Sequence, residues 1–334
     1  MKIHTILTLA ASAAITFAAA SCNAGKGKAE TKAEAGNGTA AAAAPTFNED
    51  SAYSYVKAQV DFGPRIPNSQ AHKACGDYLA SKLESFGATV ANQYADLTMF
   101  DGTLLKARNI IGSYRPESKK RVALFAHWDT RPWADKDPDE SKHSNPVTGA
   151  NDGASGVGVL LEVARLIQAN APFIGVDIIF FDAEDCGAPD TYRGRHEEEH
   201  WCLGSQYWSR FPHAQGYNAR YGILLDMVGG RNATFYQEAY SMQYAGSIVE
   251  KVWTQAAASG YGSYFIPERG GAVTDDHLFV NRIARIPTID IIPMDETYGF
   301  GEFWHTTGDT MDVIDKNTLK AVGQTIINVI YDEK

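Results

Sequence analysis

The sequence predicts an α/β fold: a single domain with a central mixed, mostly parallel sheet covered by helices on both faces. Three observations predict it. Apolar runs of strand length stand at residues 122–126 (VALFA), 176–181 (VDIIFF), 222–225 (GILL) and 286–292 (IPTIDII). They are near-continuous rather than alternating, as strands buried on both faces are. Between them lie segments with apolar residues at helical spacing, and each run is followed by polar, metal-capable residues.

In chain order, the first 22 residues read MKIHTILTLAASAAITFAAASC, with Lys2 before a short apolar stretch and small residues before Cys22. This is the pattern of an export signal over residues 1–21, too short for a membrane span. Its end resembles a bacterial lipobox, which would make Cys22 a lipidation site; the alternative is ordinary signal cleavage. Residues 23–46 hold no large apolar residue and read as a flexible tether. The catalytic domain is expected over residues 47–334, in a protein facing the periplasm or cell exterior whose membrane contact is limited to that anchor. Lys and Arg number 30 against 40 Asp and Glu, a net charge of −10, which argues against nucleic acid as a partner.

A helix is expected from Ser69, as N-cap, to Phe86, with Ala71, Ala74, Tyr78, Leu79 and Leu83 on one face and Gly87 as its stop. A second runs over residues 155–167 and a third over 247–258. Cys186 and Cys202 are the pair an exporting compartment would allow to form a disulfide, and no CxxC offers a cysteine-ligated metal site.

The chemistry gathers where the runs end. VALFA leads into His127 and Asp129, VDIIFF into Asp182, Glu184 and Asp185, and GILL into Asp226; IPTIDII is followed, after a loop, by His305. In open parallel sheets the ligand site lies beyond the carboxyl ends of the strands. Asp152 sits in GANDGASG, Asp275, Asp276 and His277 in TDDHLF. A mixture of Asp, Glu and His without Cys fits a catalytic zinc with an open position. Within FFDAEDCG one carboxylate can hold metal while its neighbour moves protons, since apolar walls and nearby negative charge raise a carboxyl pKa. Asp182 is read as a turn residue, and the RGRHEEEH run as a solvated acidic loop.

Taken together, HWD (127–129), GANDGASG (149–156), DAED (182–185), LLDMVG (224–229) and His305 resemble the zinc-dependent aminopeptidase superfamily. HWCLGSQYW, TDDHLF and FGEFWHT resemble its glutaminyl cyclase branch, of the animal type with bacterial counterparts. That resemblance implies one zinc per chain held by Asp152, Asp185 and His305. It makes Glu184 the general acid/base, with Asp226 and Asp275 completing a carboxylate network. Trp201, Trp304 and Phe300 would shape the substrate pocket. His127 matches a second-metal ligand of the peptidases and would have a supporting role here. Asp290 stands where the animal enzymes carry His, so its role is open, and Asp185 replaces the usual Glu. The implied activity converts N-terminal glutamine of peptides and proteins to pyroglutamate with release of ammonia. The alternative is a di-zinc aminopeptidase.

Overall fold

The computed structural model describes residues 43–294 and 299–334, which fall within one compact unit, Ala41–Lys334. The export signal, Cys22 and most of the tether lie outside the described residues. No described helix is long and apolar enough to cross a membrane.

Two helices open the domain, α1 (Glu49–Val60) and α2 (Gln70–Ser85). Ser69 caps α2 as the sequence predicts, its side chain accepting from the His72 amide. Then follow β1 (Thr89–Thr98), β2 (Leu104–Tyr114), β3 (Arg121–His127), α3 (Ser155–Ala169) and β4 (Gly175–Phe181). The remainder comprises α4 (Leu203–Arg210), β5 (Gly222–Leu225), β6 (Phe235–Gln237), α5 (Ala239–Ala258), β7 (Phe265–Arg269), α6 (Asp276–Phe279), β8 (Thr288–Ile291) and α7 (Lys316–Asp332).

Six strands form the main sheet in the order β1-β2-β4-β3-β5-β8. The predicted runs supply the parallel part: β3 pairs with β4 and β5, and β5 with β8, all parallel. The antiparallel part, β1 on β2 and β2 on β4, was not read from the sequence. On β1 the reason is exposure: its residues alternate between exposed and half-buried, so it presents no apolar run. Strand β8 covers only the middle of the predicted 286–292 run, and α5 begins eight residues before the predicted 247, across a kink at Ala245.

Both faces of β3 and β4 are dry. Val122, Leu124 and Ala126 of β3 enter one core beneath α1, α3, α5 and α7, while Ala123 and Phe125 enter a second with Trp208 of α4. Strand β4 alternates the same way, Val176, Ile178 and Phe180 against Ile179 and Phe181. That double burial makes the runs continuous rather than periodic. It also leaves the carboxyl strand ends as the place where polar groups can gather.

Candidate active site

The ends of β3, β4 and β5 and the loop after β8 converge on a cavity of about 210 Å³. Asp152, Glu184, Asp185, Asp226, Asp275 and His305 line its polar side; Trp201, Phe300 and Trp304 are among its apolar walls. Every residue that the resemblance makes a zinc ligand, an acid/base group or a pocket wall therefore faces one cavity.

Local backbone geometry aims these groups. Ala183, Cys202, Met227 and His305 all adopt left-handed φ, from 50° to 58°, which non-glycine residues avoid. Such conformations persist only where the surroundings enforce them, and they concentrate at functional sites. Gly153 takes φ 101°, and a Cβ there would stand 2.2 Å from the Asp129 carbonyl oxygen, so the turn that presents Asp152 closes only with glycine. The Asp152 and Asn151 amides donate to the buried carboxylate of Asp309, at 3.0 and 2.8 Å. Asp129 serves the next turn likewise, accepting from the amides of Glu184 (3.0 Å) and Asp185 (3.2 Å). Its role is thus to hold the FFDAEDCG turn rather than to offer a ligand.

Asp152, Asp185 and His305 bring donor atoms together in one buried group. His305 Nε2 lies 3.1 Å from Asp185 Oδ1 and 3.6 Å from Asp152 Oδ2. Two donors about 2.0–2.1 Å from a tetrahedral zinc stand roughly 3.3 Å apart, so the spacing fits. Asp185 Oδ2 is buried without a hydrogen-bond donor among the described residues, the state of a carboxylate reserved for a cation. The shorter Asp side chain therefore reaches the group. The His305 ring is held between Trp304 (centroids 3.9 Å apart) and Trp201 (6.1 Å).

Glu184 points at the same space with different neighbours. The Cys202 thiol donates to its Oε1 at 3.3 Å, and Oε2 is 3.9 Å from His127 Nδ1. Burial pushes its pKa well above the carboxylate range; His127 opposes that, and Asp185 and Asp275 add to it. Burial likewise raises Asp226 to about 7, against the pull of His127. His127 Nε2 stands 3.0 Å from both Asp152 Oδ1 and Asp226 Oδ1, a second metal-capable group sharing Asp152 with the first. Burial by itself would lower His127, but the Asp226 charge and the nearby carboxylates of Asp129 and Asp152 hold its pKa well above the ordinary value.

The sequence left a Cys186–Cys202 disulfide open; both cysteines are free and buried, so none joins them. One expectation is revised. Asp182 is more than a turn residue: fully buried, it accepts from the Arg108 and Ala183 amides, and both oxygens lie 2.9 Å from His72 Nε2 on α2. The RGRHEEEH run is largely exposed, as predicted.

Sequence reasoning missed Arg131, Asp135 and Asp309, and saw Cys202 only as a disulfide candidate. Arg131 grips Asp135 through two bonds of 2.8 and 2.7 Å, donates to the Asp185 carbonyl at 3.1 Å, and lies 4.7 Å from the Trp201 ring. Asp135 in turn faces His305 Nδ1 at 3.7 Å. The signal was HWDTRPWAD, where Arg131 and Asp135 stand four apart directly after the first motif.

The model of peptidase family M28 matches residues 109–330. The structure of Bacteroides thetaiotaomicron glutaminyl cyclase is similar with a TM-score of 0.87 and 68% identity, covering 87% of this chain and 100% of that one. A leucine aminopeptidase precursor from the same organism gives 0.86 and 67%, covering 88% and 100%. Glutaminyl-peptide cyclotransferase of Bos taurus is 26% identical over 251 residues, 63% of this chain. The chain spans 54% and 62% of the lengths of two curated relatives that it matches, an aminopeptidase and this cyclotransferase.

Proposed function

The chain belongs to peptidase family M28, and from that premise we propose that it is a zinc-dependent glutaminyl cyclase acting on peptides and proteins with N-terminal glutamine. One observation carries the reading: a single aromatic-walled cavity sets the Asp152–Asp185–His305 group beside Glu184, a carboxylate free of that group. The name of the 68% identical structure supports it. We place one zinc per chain at the three residues, where its chemistry is Lewis-acid polarisation of the substrate carbonyl.

The chain's own residues do the rest. Trp201, Trp304 and Phe300 wall a space of about 210 Å³, small enough to hold one side chain with its amine and amide in contact. Asp226 and Asp275 line the cavity as acceptors for the N–H groups of the incoming neutral α-amine. Glu184 takes a proton from the α-amine as its nitrogen bonds to the γ-carboxamide carbon. It returns that proton to the amide nitrogen as the carbon–nitrogen bond breaks and ammonia leaves. A buried carboxyl with a raised pKa suits both halves of this transfer.

The His127–Asp152–Asp226 group favours a second reading, a two-zinc aminopeptidase. In the cyclase reading a proton on His127 does the work of that second metal, joining Asp152 and Asp226. Incubation with a Gln-initiated peptide separates the two. Cyclisation keeps every residue and releases one ammonia; a peptide shortened by its first residue overturns the proposal. From the N-terminal sequence we further propose export and anchoring through Cys22.

A further inference from the structure

Behind the cavity wall is a second buried cluster in which acceptors face one another without a donor. Asp290, on β8, is 0% exposed, and only its backbone is engaged there, its amide donating to Ser241 Oγ at 2.9 Å. Among the described residues, neither of its carboxyl oxygens has a hydrogen-bond partner, nor do Asp275 Oδ2 and His277 Nδ1. One ring nitrogen of His277 and one carboxyl oxygen each of Asp275 and Asp290 all lie within 4.8 Å of one another. His277 directs Nε2 to Glu238 Oε2 at 3.1 Å, and its Nδ1 is 3.7 Å from Asp290 Oδ2, too far for a hydrogen bond. The charged groups facing Asp290 are Asp275 and His277 of α6, Glu238 at the start of α5 and Asp226 after β5.

Unmet acceptors in a dry space are costly, and two ionised carboxylates within 4.8 Å costlier still. One proton between Asp290 and Asp275 removes both penalties. It belongs on Asp290, because Asp275 Oδ1 already accepts from the Asp276 amide at 2.5 Å, which favours its ionised form, whereas Asp290 has no donor on either oxygen. We propose that Asp290 is a positioning residue: as a neutral carboxylic acid it donates its proton to the Asp275 carboxylate, holding that group ionised and fixed toward the cavity. The step is a hydrogen bond, with no net transfer. Burial, which pushes the Asp290 pKa well above the carboxylate range and raises that of Asp275, agrees with this assignment. The consequence for substrate, an acceptor at Asp275 for the N–H groups of the α-amine, rests on the cyclase reading.

The test uses the zinc-loaded full chain and D290N, which keeps a neutral donor of the same shape, beside D290A, which has none. A difference infrared spectrum, wild type minus D290N at neutral pH, is expected to contain a protonated-carboxyl C=O band that shifts in heavy water. Turnover should fall about tenfold in D290A, the loss of one buried hydrogen bond, with KM little changed and with rescue in D290N. The proposal is overturned if the band is absent, or if D290N loses as much turnover as D290A; that second outcome would mean an ionised Asp290, as a cation bound there requires. The infrared arm needs no substrate and does not depend on D290A folding. A band without any cyclisation of Gln peptides would support the proton assignment and strike only at the reaction proposed above.

Discussion

Strands β3 and β4 carry buried charge at both ends, and the two ends treat it differently. At the amino ends, Asp177 accepts from Ser113 Oγ (2.6 Å), Arg121 Nη2 (2.7 Å), Arg121 Nε (2.5 Å) and Tyr217 OH (2.8 Å), so each oxygen has two donors. On the cavity side, Asp185 Oδ2 in the turn after β4, Asp275 Oδ2 just before α6 and both oxygens of Asp290 within β8 have none among the described residues, though these residues are equally buried. The sheet thus holds one charge fully matched by fixed protein donors and, on the cavity side, a group of carboxyls left for something else to match. The first arrangement fixes the sheet edge. The second reserves lone pairs for a cation, a substrate amine or a proton.

This contrast breaks most readily at the carboxyl end. Asp185→Ala should abolish zinc binding and lower turnover by about 10³-fold or more while the fold survives, checked by metal analysis beside a melting curve. Asp177→Ala should do the reverse. It strands the Arg121 guanidinium, so unfolding free energy should drop by about 3–5 kcal/mol with zinc stoichiometry unchanged. A result in which each variant damages both properties would erase the distinction.

Glu238 sharpens the comparison, because it is a matched charge inside the functional half. Burial opposes its ionisation, but His277 and the Ser241 and Tyr240 amides hold its pKa at about 2, against 4.5 ordinarily. A carboxyl depressed on folding contributes stability that is complete above its unfolded pKa and lost as pH falls through its folded one. Denaturant unfolding should therefore lose about 3 kcal/mol from this group between about pH 4.5 and 2. Glu238→Gln should flatten that slope. The smallest effect is expected at Asp135, which faces His305 Nδ1: Asp135→Asn should weaken zinc by about 10- to 100-fold in a competition titration, with little change in melting.

The legible part of this molecule is the part whose burial is two-sided. Residues 122–126, 176–181 and 222–225 announced themselves because both faces of those strands are dry, and the polar groups directly after them followed from strand direction. Strand β1 was illegible because it is an edge strand with no apolar pattern. Asp152, Asp185 and His305 were readable as metal-capable residues, yet what orients them was not. Arg131, Asp135 and Asp309 act across long sequence separations, and Asp309 meets Asn151 from 158 residues away. Asp129 was visible only as one of several metal-capable residues, and Asp182 only as a turn residue. Whether a carboxylate accepts from backbone amides or waits for a cation is decided by its donors, and those come from elsewhere in the chain.

The division of labour inside FFDAEDCG is the central claim, and Glu184→Gln tests it most directly through paired measurement of zinc content and turnover on a Gln-initiated peptide. Retained zinc at one per chain with turnover down by about 10²–10⁴-fold is the result expected if Glu184 moves protons while Asp185 holds metal. Loss of zinc along with turnover, or turnover close to wild type, would contradict it.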